Sequence, residues 1–249
     1  MSQEIKWNIQ ESRYKYPYHY IPFVDKDGYA NRIRILKWGF EYLCYQYHII
    51  EIIDKIYPNS ILDVGCGDGF FLSILRDRPY EKLGVDLSDT AVNLARAISP
   101  GITFLNKDAA EIDREFDVVT AIEVLEHISD DNISDFLTTL YSRTKLNGYT
   151  ILSVPTTNLP LNPKHYRHYN IDIFKKQLKD SGVDYRIEYY EYIFKINYLY
   201  KKYLKFTQNR FWIFEPHFLR KMMWKYVWNS LRFANENNGS HLVIKLKKV

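Results

Sequence analysis

Cysteine is nearly absent from this chain of 249 residues: Cys44 and Cys66 are the two, and they form no paired metal-ligand spacing. A reducing compartment is therefore the simplest expectation, and a cysteine-built metal centre drops out. Long apolar runs are missing as well. The first residues, MSQEIKWNIQESRYKYPYHY, hold no apolar core of signal-peptide length, and no later run approaches a membrane span. The expected location is the cytoplasm, with at most peripheral contact to a membrane. A net charge of +4 is too small to argue for nucleic acid by itself. What is present is 46% hydrophobic and 26% charged, a balance that suits one globular core with extensions and not global disorder.

Glycine is scarce too, ten in all, yet three fall close together in the stretch ILDVGCGDGFF at residues 61–71. The apolar run Ile61-Leu62-Asp63-Val64 stops at Gly65-x-Gly67-x-Gly69, and the periodic segment Phe70-Phe71-Leu72-x-x-Leu75 follows. That pattern reads as a strand, a tight turn and a helix start. A dinucleotide site uses Gly-x-Gly-x-x-Gly to set a pyrophosphate on a helix N-terminus. Here the third glycine comes one residue early, and Phe70 stands in its place. Asp63 before the turn and Asp68 inside it would repel a pyrophosphate, whereas carboxylates suit a ligand with an ammonium group and sugar hydroxyls. S-adenosylmethionine is such a ligand.

Residues 1–28 are dense in aromatics (Trp7, Tyr14, Tyr16, Tyr18, His19, Tyr20) and broken by Pro17 and Pro22. A helical face of Ile33, Leu36, Phe40, Leu43, Tyr47, Ile50 and Ile53 is expected over 29–56. Beyond it, strands are expected over 61–64, 82–86, 102–105, 116–121, 149–154, 184–192 and 241–246. Helices are expected over 70–78, 90–98, 131–144 and 171–179. The alternation argues a parallel sheet covered on both faces. Asp86 ends the second strand of a βαβ unit, where a carboxylate is placed to accept from ribose hydroxyls.

With Asp63, the three glycines and Asp86 in order, the chain resembles the class I S-adenosylmethionine-dependent methyltransferases over about residues 56–177 and the final strand. The resemblance implies a Rossmann-like, doubly wound α/β fold whose seven-stranded sheet ends in an antiparallel strand. It implies S-adenosylmethionine as cofactor, with Asp63, Gly65, Cys66, Gly67, Asp68, Gly69, Asp86 and Leu87 around it. Asp108 with Ala109 would meet the adenine amine, and Glu123 the methionine end.

The stretch IEVLEHI at residues 122–128 follows the fourth strand. If it is helical, Glu123, Glu126 and His127 share a face. With a histidine from the loop after strand five, they could ligate a divalent metal. This resembles the Glu-x-x-Glu-His set of the small-RNA 3′-terminal 2′-O-methyltransferases, which hold a magnesium-type ion; it equally resembles the quinone-biosynthesis O-methyltransferases. Two readings stay open: a magnesium-type centre, or a metal-free site with Glu126 structural and His127 as the general base. His165 and His168 are the next candidates for the base. Arg167, between them, suits an anionic acceptor.

Residues 193–239 fit none of this. Over 192–232, nine Lys or Arg stand against Glu215 alone, so this segment is net +8 and the rest of the chain net −4. Trp212, Trp224 and Trp228 with Met222 and Met223 add an apolar side. The expected organisation is an N-terminal helical lid at 1–57, a methyltransferase core at 58–192 and 240–249, and a basic aromatic helical insertion at 193–239. The insertion reads as a packed extension that could touch a membrane surface or an anionic glycan; a nucleic-acid face, with arginines on phosphate and aromatics on bases, is the less expected reading, since it carries no recognised RNA-binding motif. The function expected is O-methylation of a sugar, polysaccharide or small metabolite. The alternatives are a metal-dependent RNA 2′-O-methyltransferase and a non-catalytic cofactor-binding scaffold.

Overall fold

The computed structural model describes residues 3–12, 23–24, 30–31, 39–209, 211–214 and 216–249. In chain order it places helix α1 (Gln3–Glu11), two-residue strands β1 (Phe23–Val24) and β2 (Ala30–Asn31), and helix α2 (Gly39–Ile56). There follow β3 (Ser60–Val64), α3 (Phe70–Ile74), β4 (Glu81–Asp86), α4 (Asp89–Ile98), β5 (Thr103–Asn106), β6 (Phe116–Ile122), α5 (Ile133–Arg143), β7 (Thr144–Pro155) and α6 (Ile171–Ser181). The chain ends with β8 (Tyr185–Lys195), α7 (Tyr198–Thr207), α8 (His217–Tyr226) and β9 (Gly239–Lys248).

Strands β3 to β9 build one seven-stranded sheet in the order β5-β4-β3-β6-β7-β9-β8. The strands from β3 to β7 run parallel, and β9 runs antiparallel to both β7 and β8. Successive side chains of a strand point to opposite faces, so a strand covered on both sides must be apolar at consecutive positions. Ile61, Val118, Ile151 and Val243 join the core against α2, α3, α4 and the segment after β8. Their neighbours Leu62, Val119, Leu152 and Leu242 join a second core against α5 and α6. Among the described residues, no helix is long and apolar enough to cross a membrane.

Three expectations need correction. The helical face over 29–56 begins too early, because Ala30–Asn31 is extended and pairs with Phe23–Val24; Ile33, Leu36 and the tyrosines at 14, 16, 18 and 20 lie outside the described residues. In α2, Tyr47 is exposed, while Cys44, Ile49 and Ile53 are fully buried. Helix α3 stops at Ile74 because its next backbone donors turn back to carbonyls three residues earlier, as Leu75 does to Leu72 and Arg78 to Leu75.

The turn after β3 needs its glycines. Gly69 has φ +72°, and a Cβ there would lie 2.6 Å from Phe104 and 2.9 Å from Ala95. Gly101 also has positive φ, but nothing lies within 4 Å of its added Cβ. Gly69→Ala should therefore cost about 3 kcal/mol, backbone strain plus overpacking, and Gly101→Ala about 1 kcal/mol, strain alone. Urea unfolding of the two variants measures the difference; equal losses would mean that the contact with Phe104 carries no weight.

Candidate active site

The strand order reverses between β3 and β6, and there the carboxyl ends of the parallel strands open onto a cavity of about 260 Å³. Its floor is Val64 and Gly65 at the end of β3, Val85 to Ser88 at the end of β4, and Glu123 and Val124 after β6. Asp108 and Ala109 close one side, and His127, Lys164 and Tyr166 another. Trp7, Gln10 and Glu11 of α1 cover it. Lys6 of that helix donates to the His165 carbonyl and lies 4.1 Å from the Tyr166 ring centre.

Asp86 is the best-defined group. Its Oδ2 accepts from the Gly67 N–H at 2.9 Å, and its Oδ1 from the Ser88 N–H at 2.8 Å. Burial pushes its carboxyl above the usual range, and these two donors oppose the rise. Each oxygen thus holds one backbone donor and keeps acceptor capacity on the cavity side, which suits a vicinal diol. Leu87 is exposed beside it. Asp108 caps a short 3₁₀ turn, its Oδ1 accepting from the Ala110 N–H at 2.8 Å.

Other residues assigned to the cofactor lie off the cavity wall. Asp63 is buried, and its Oδ1 accepts from the Thr120 hydroxyl at 2.7 Å. Burial pushes its pKa up to about 7, against that hydrogen bond. That hydrogen bond ties β3 to β6. The Cys66 side chain turns into the core, where burial drives the thiol well above its ordinary value. Asp68 Oδ1 accepts from the Phe70 N–H at 3.1 Å, closing the turn into α3. Gly67 contributes its N–H to Asp86.

The stretch after β6 is no α-helix, because Glu123 has φ 57° and only Leu125–His127 form a 3₁₀ turn. The three residues therefore do not share one helical face. Glu126 and His127 come together with His165, their ligand atoms all within 4.8 Å, while Glu123 turns elsewhere. His165 Nδ1 lies 2.9 Å from His168 Nε2, and His168 Nδ1 lies 3.1 Å from the Leu159 carbonyl. A carbonyl only accepts, so His168 donates to it, and His165 must donate to His168. His127 Nδ1 meets the Lys164 carbonyl at 3.3 Å by the same logic. Both His127 and His165 are thereby left with Nε2 as the accepting nitrogen. His168, like His165, is buried and off the cavity wall, and it hydrogen-bonds His165 and the Leu159 carbonyl.

Glu123 belongs to a cluster that the sequence reading missed. Its Oε1 accepts from the Ser153 hydroxyl at 3.0 Å and from His241 Nδ1 at 3.1 Å, and His241 Nε2 lies 3.2 Å from Glu41. Burial alone would depress His241, but the flanking carboxylates outweigh it and raise its pKa to about 10. Burial likewise opposes ionisation of Glu123, and His241 with Ser153 reverses this, holding Glu123 below its usual range. Glu126 goes the other way, pushed well above the carboxylate range by burial and by the charge of Glu123. Its Oε2 is buried without a hydrogen-bond partner among the described residues. Nothing in a strand sequence marks a histidine whose two partners lie on a distant helix and loop.

The raised pKa of His241 means that its contribution to stability is complete below the unfolded value of 6.5 and is lost as pH rises through about 10. The stability gap between the wild type and His241→Gln should therefore shrink steadily from pH 6.5 to 10, read by thermal melts across that range. A constant gap would show that the histidine is not held as the cation.

Residues 41–229 match the family model described as methyltransferase domain. The ubiquinone biosynthesis O-methyltransferase of Rickettsia bellii is 32% identical over 116 residues, 43% of this chain and 48% of that protein. A probable S-adenosylmethionine-dependent methyltransferase of Mycolicibacterium smegmatis is 26% identical over 135 residues, 50% of this chain and 52% of that one. The chain spans about half the length of these curated relatives. A SAM-dependent methyltransferase from Archaeoglobus fulgidus shares the fold, with a TM-score of 0.58 at 18% identity, over 86% of this chain and 98% of that one. By the match across residues 41–229, this chain belongs to the methyltransferase domain family, of the class I S-adenosylmethionine-dependent kind.

Proposed function

We propose that this chain is an S-adenosylmethionine-dependent O-methyltransferase acting on a hydroxyl of a sugar, a polysaccharide end or a small metabolite. The observation that carries the reading is Asp86, whose carboxylate is fixed by the glycine turn and faces the cavity at the reversal of strand order. Asp86 would hold the ribose hydroxyls, Asp108 and Ala109 the adenine, and the ionised Glu123 the ammonium of the methionine end. When bound, the cofactor supplies an activated sulfonium methyl. The protein's remaining tasks are to exclude water, align the acceptor and take its proton. Helix α1 covers the cavity, and His127 offers Nε2 as the proton acceptor because Nδ1 is engaged by the Lys164 carbonyl.

A second reading places a divalent cation on Glu126, His127 and His165. The orphaned Glu126 Oε2 and the two accepting Nε2 atoms favour it, and two imidazoles with a carboxylate suit manganese or zinc better than magnesium.

Calorimetric titration with S-adenosylhomocysteine tests the cofactor site. Micromolar binding is expected, and Asp86→Ala should weaken it at least about tenfold, while orphaning the Gly67 and Ser88 N–H groups lowers the melting temperature but leaves one cooperative transition. Unchanged affinity would remove Asp86 from the site. His127→Ala should lower turnover about a hundredfold or more while leaving S-adenosylhomocysteine affinity intact. Turnover on polyhydroxylated acceptors that survives chelation would eliminate the cation, and loss restored by manganese would replace the metal-free reading.

A further inference from the structure

The segment between β8 and β9 has two unlike sides. Its inner side is keyed into the protein: Tyr200, Met223, Val227 and Leu231 are buried in the core that also holds Phe40 and Phe194. Phe40 of α2 meets Tyr203 edge-on at 5.9 Å and stacks against Trp224 at 6.5 Å. Arg232 binds Glu51 of α2 at 2.8 Å. The segment is therefore a docked element whose outer side is held in place.

That outer side is apolar at its tip. Phe206, Trp212, Ile213, Phe214, Phe218 and Met222 are each more than half exposed, Phe218 at 68% and Met222 at 59%, whereas the adjacent Met223 is 5% exposed. Single exposed apolar residues are ordinary; a cluster of this density around one turn is not. Among the described residues, the turn also pairs several of its own backbone groups. The Phe214 N–H donates to the Thr207 carbonyl at 2.7 Å, and Asn209 donates to the Trp212 carbonyl at 3.1 Å. The Asn209 side chain accepts from the N–H groups of Phe211 and Trp212, and the Trp212 indole donates to the Phe206 carbonyl at 2.8 Å. Backbone groups paired within the turn can enter an apolar medium without losing hydrogen bonds to water.

The two helices that meet at the tip carry exposed lysines, Lys201, Lys202 and Lys205 on α7 and Lys221 and Lys225 on α8. The only acidic residue in 192–232 is Glu215. Aromatic and aliphatic side chains at a turn, carried by helices with exposed lysines, match the boundary between acyl chains and anionic headgroups. A second copy of the chain fits less well, because an isologous contact would set one basic rim against another.

We propose that this tip and its lysine rim form a docking surface for an anionic lipid bilayer. The side chains at 206, 212–214, 218 and 222 enter the acyl boundary, and the lysines meet headgroup phosphates. The surface is carried by residues outside the cavity, so it holds whatever acceptor the cavity takes.

Sedimentation of the full chain with vesicles tests this, using phosphatidylcholine alone or mixed with phosphatidylglycerol. Binding to the mixed vesicles is expected, weakening as salt is added. Phe214→Ser combined with Phe218→Ser should lower partitioning at least about tenfold. Replacing Lys201, Lys202 and Lys205 by Gln should lower it by roughly fivefold per lysine on the anionic vesicles alone. Both variants change exposed side chains, and unaltered S-adenosylhomocysteine affinity and melting temperature confirm that they fold. The proposal is overturned if the wild type stays in the supernatant with anionic vesicles or if the double Phe variant binds them equally well. It is likewise overturned if the same variant abolishes instead a dimer seen by analytical ultracentrifugation, or binding to an RNA oligonucleotide.

Discussion

The hydrogen bond from the Gly67 N–H to the Asp86 carboxylate joins the turn after β3 to the end of β4, and the rest of the site depends on it. It requires Gly67 in a left-handed backbone conformation, with Gly65 and Gly69 likewise at φ +72° to bring the chain round. In turn it fixes the direction of the carboxylate, because the second oxygen is already committed to Ser88. A carboxylate held in this way at a strand end needs no rearrangement to receive hydroxyl donors. The same turn sets Val64 and Gly65 on the cavity floor and sends Phe71 and Leu72 into the core. One local geometry therefore serves both the fold and the cavity.

The sheet was legible because its strands are buried on both faces, which demands consecutive apolar residues of the kind found at Ile61-Leu62 and Val118-Val119. The roles of single residues were less so. Asp63 and Asp68 each look like a ligand for a cation when only charge and spacing are considered. In the fold, Asp63 is used by Thr120 and Asp68 by the backbone of the next turn. Local pattern reports which backbone can form; it does not report which neighbouring strand will claim a side chain. His241 is the clearest instance, since Glu41 and Glu123 meet it only after β9 has been inserted between β7 and β8.

The stretch after β6 failed for a different reason. Its spacing at 123, 126 and 127 fits one face of a helix, but the left-handed Glu123 breaks the geometry before a helical turn can form. Such a conformation is costly for a residue with a Cβ and persists where surrounding contacts hold it. Those contacts are visible: the Glu123 N–H donates to the Ser153 carbonyl at 2.9 Å, and its side chain is taken by Ser153 and His241. The strained backbone thus separates Glu123 from Glu126 and gives the two carboxyls different environments.

That separation has a chemical consequence. Two carboxyls near one cavity ionise unequally when a cation favours one of them, and here His241 hydrogen-bonds Glu123 and not Glu126. Glu123 is therefore the more readily ionised carboxyl, and Glu126 is the one that keeps its proton more readily. His127 Nε2 lies 3.8 Å from Glu126 Oε1, so the proton on Glu126 bears directly on that nitrogen. A divalent cation at the same three residues would invert this, because its charge would hold Glu126 ionised and occupy both Nε2 atoms. The two readings of the site thus differ first in the proton on Glu126, and only then in the metal.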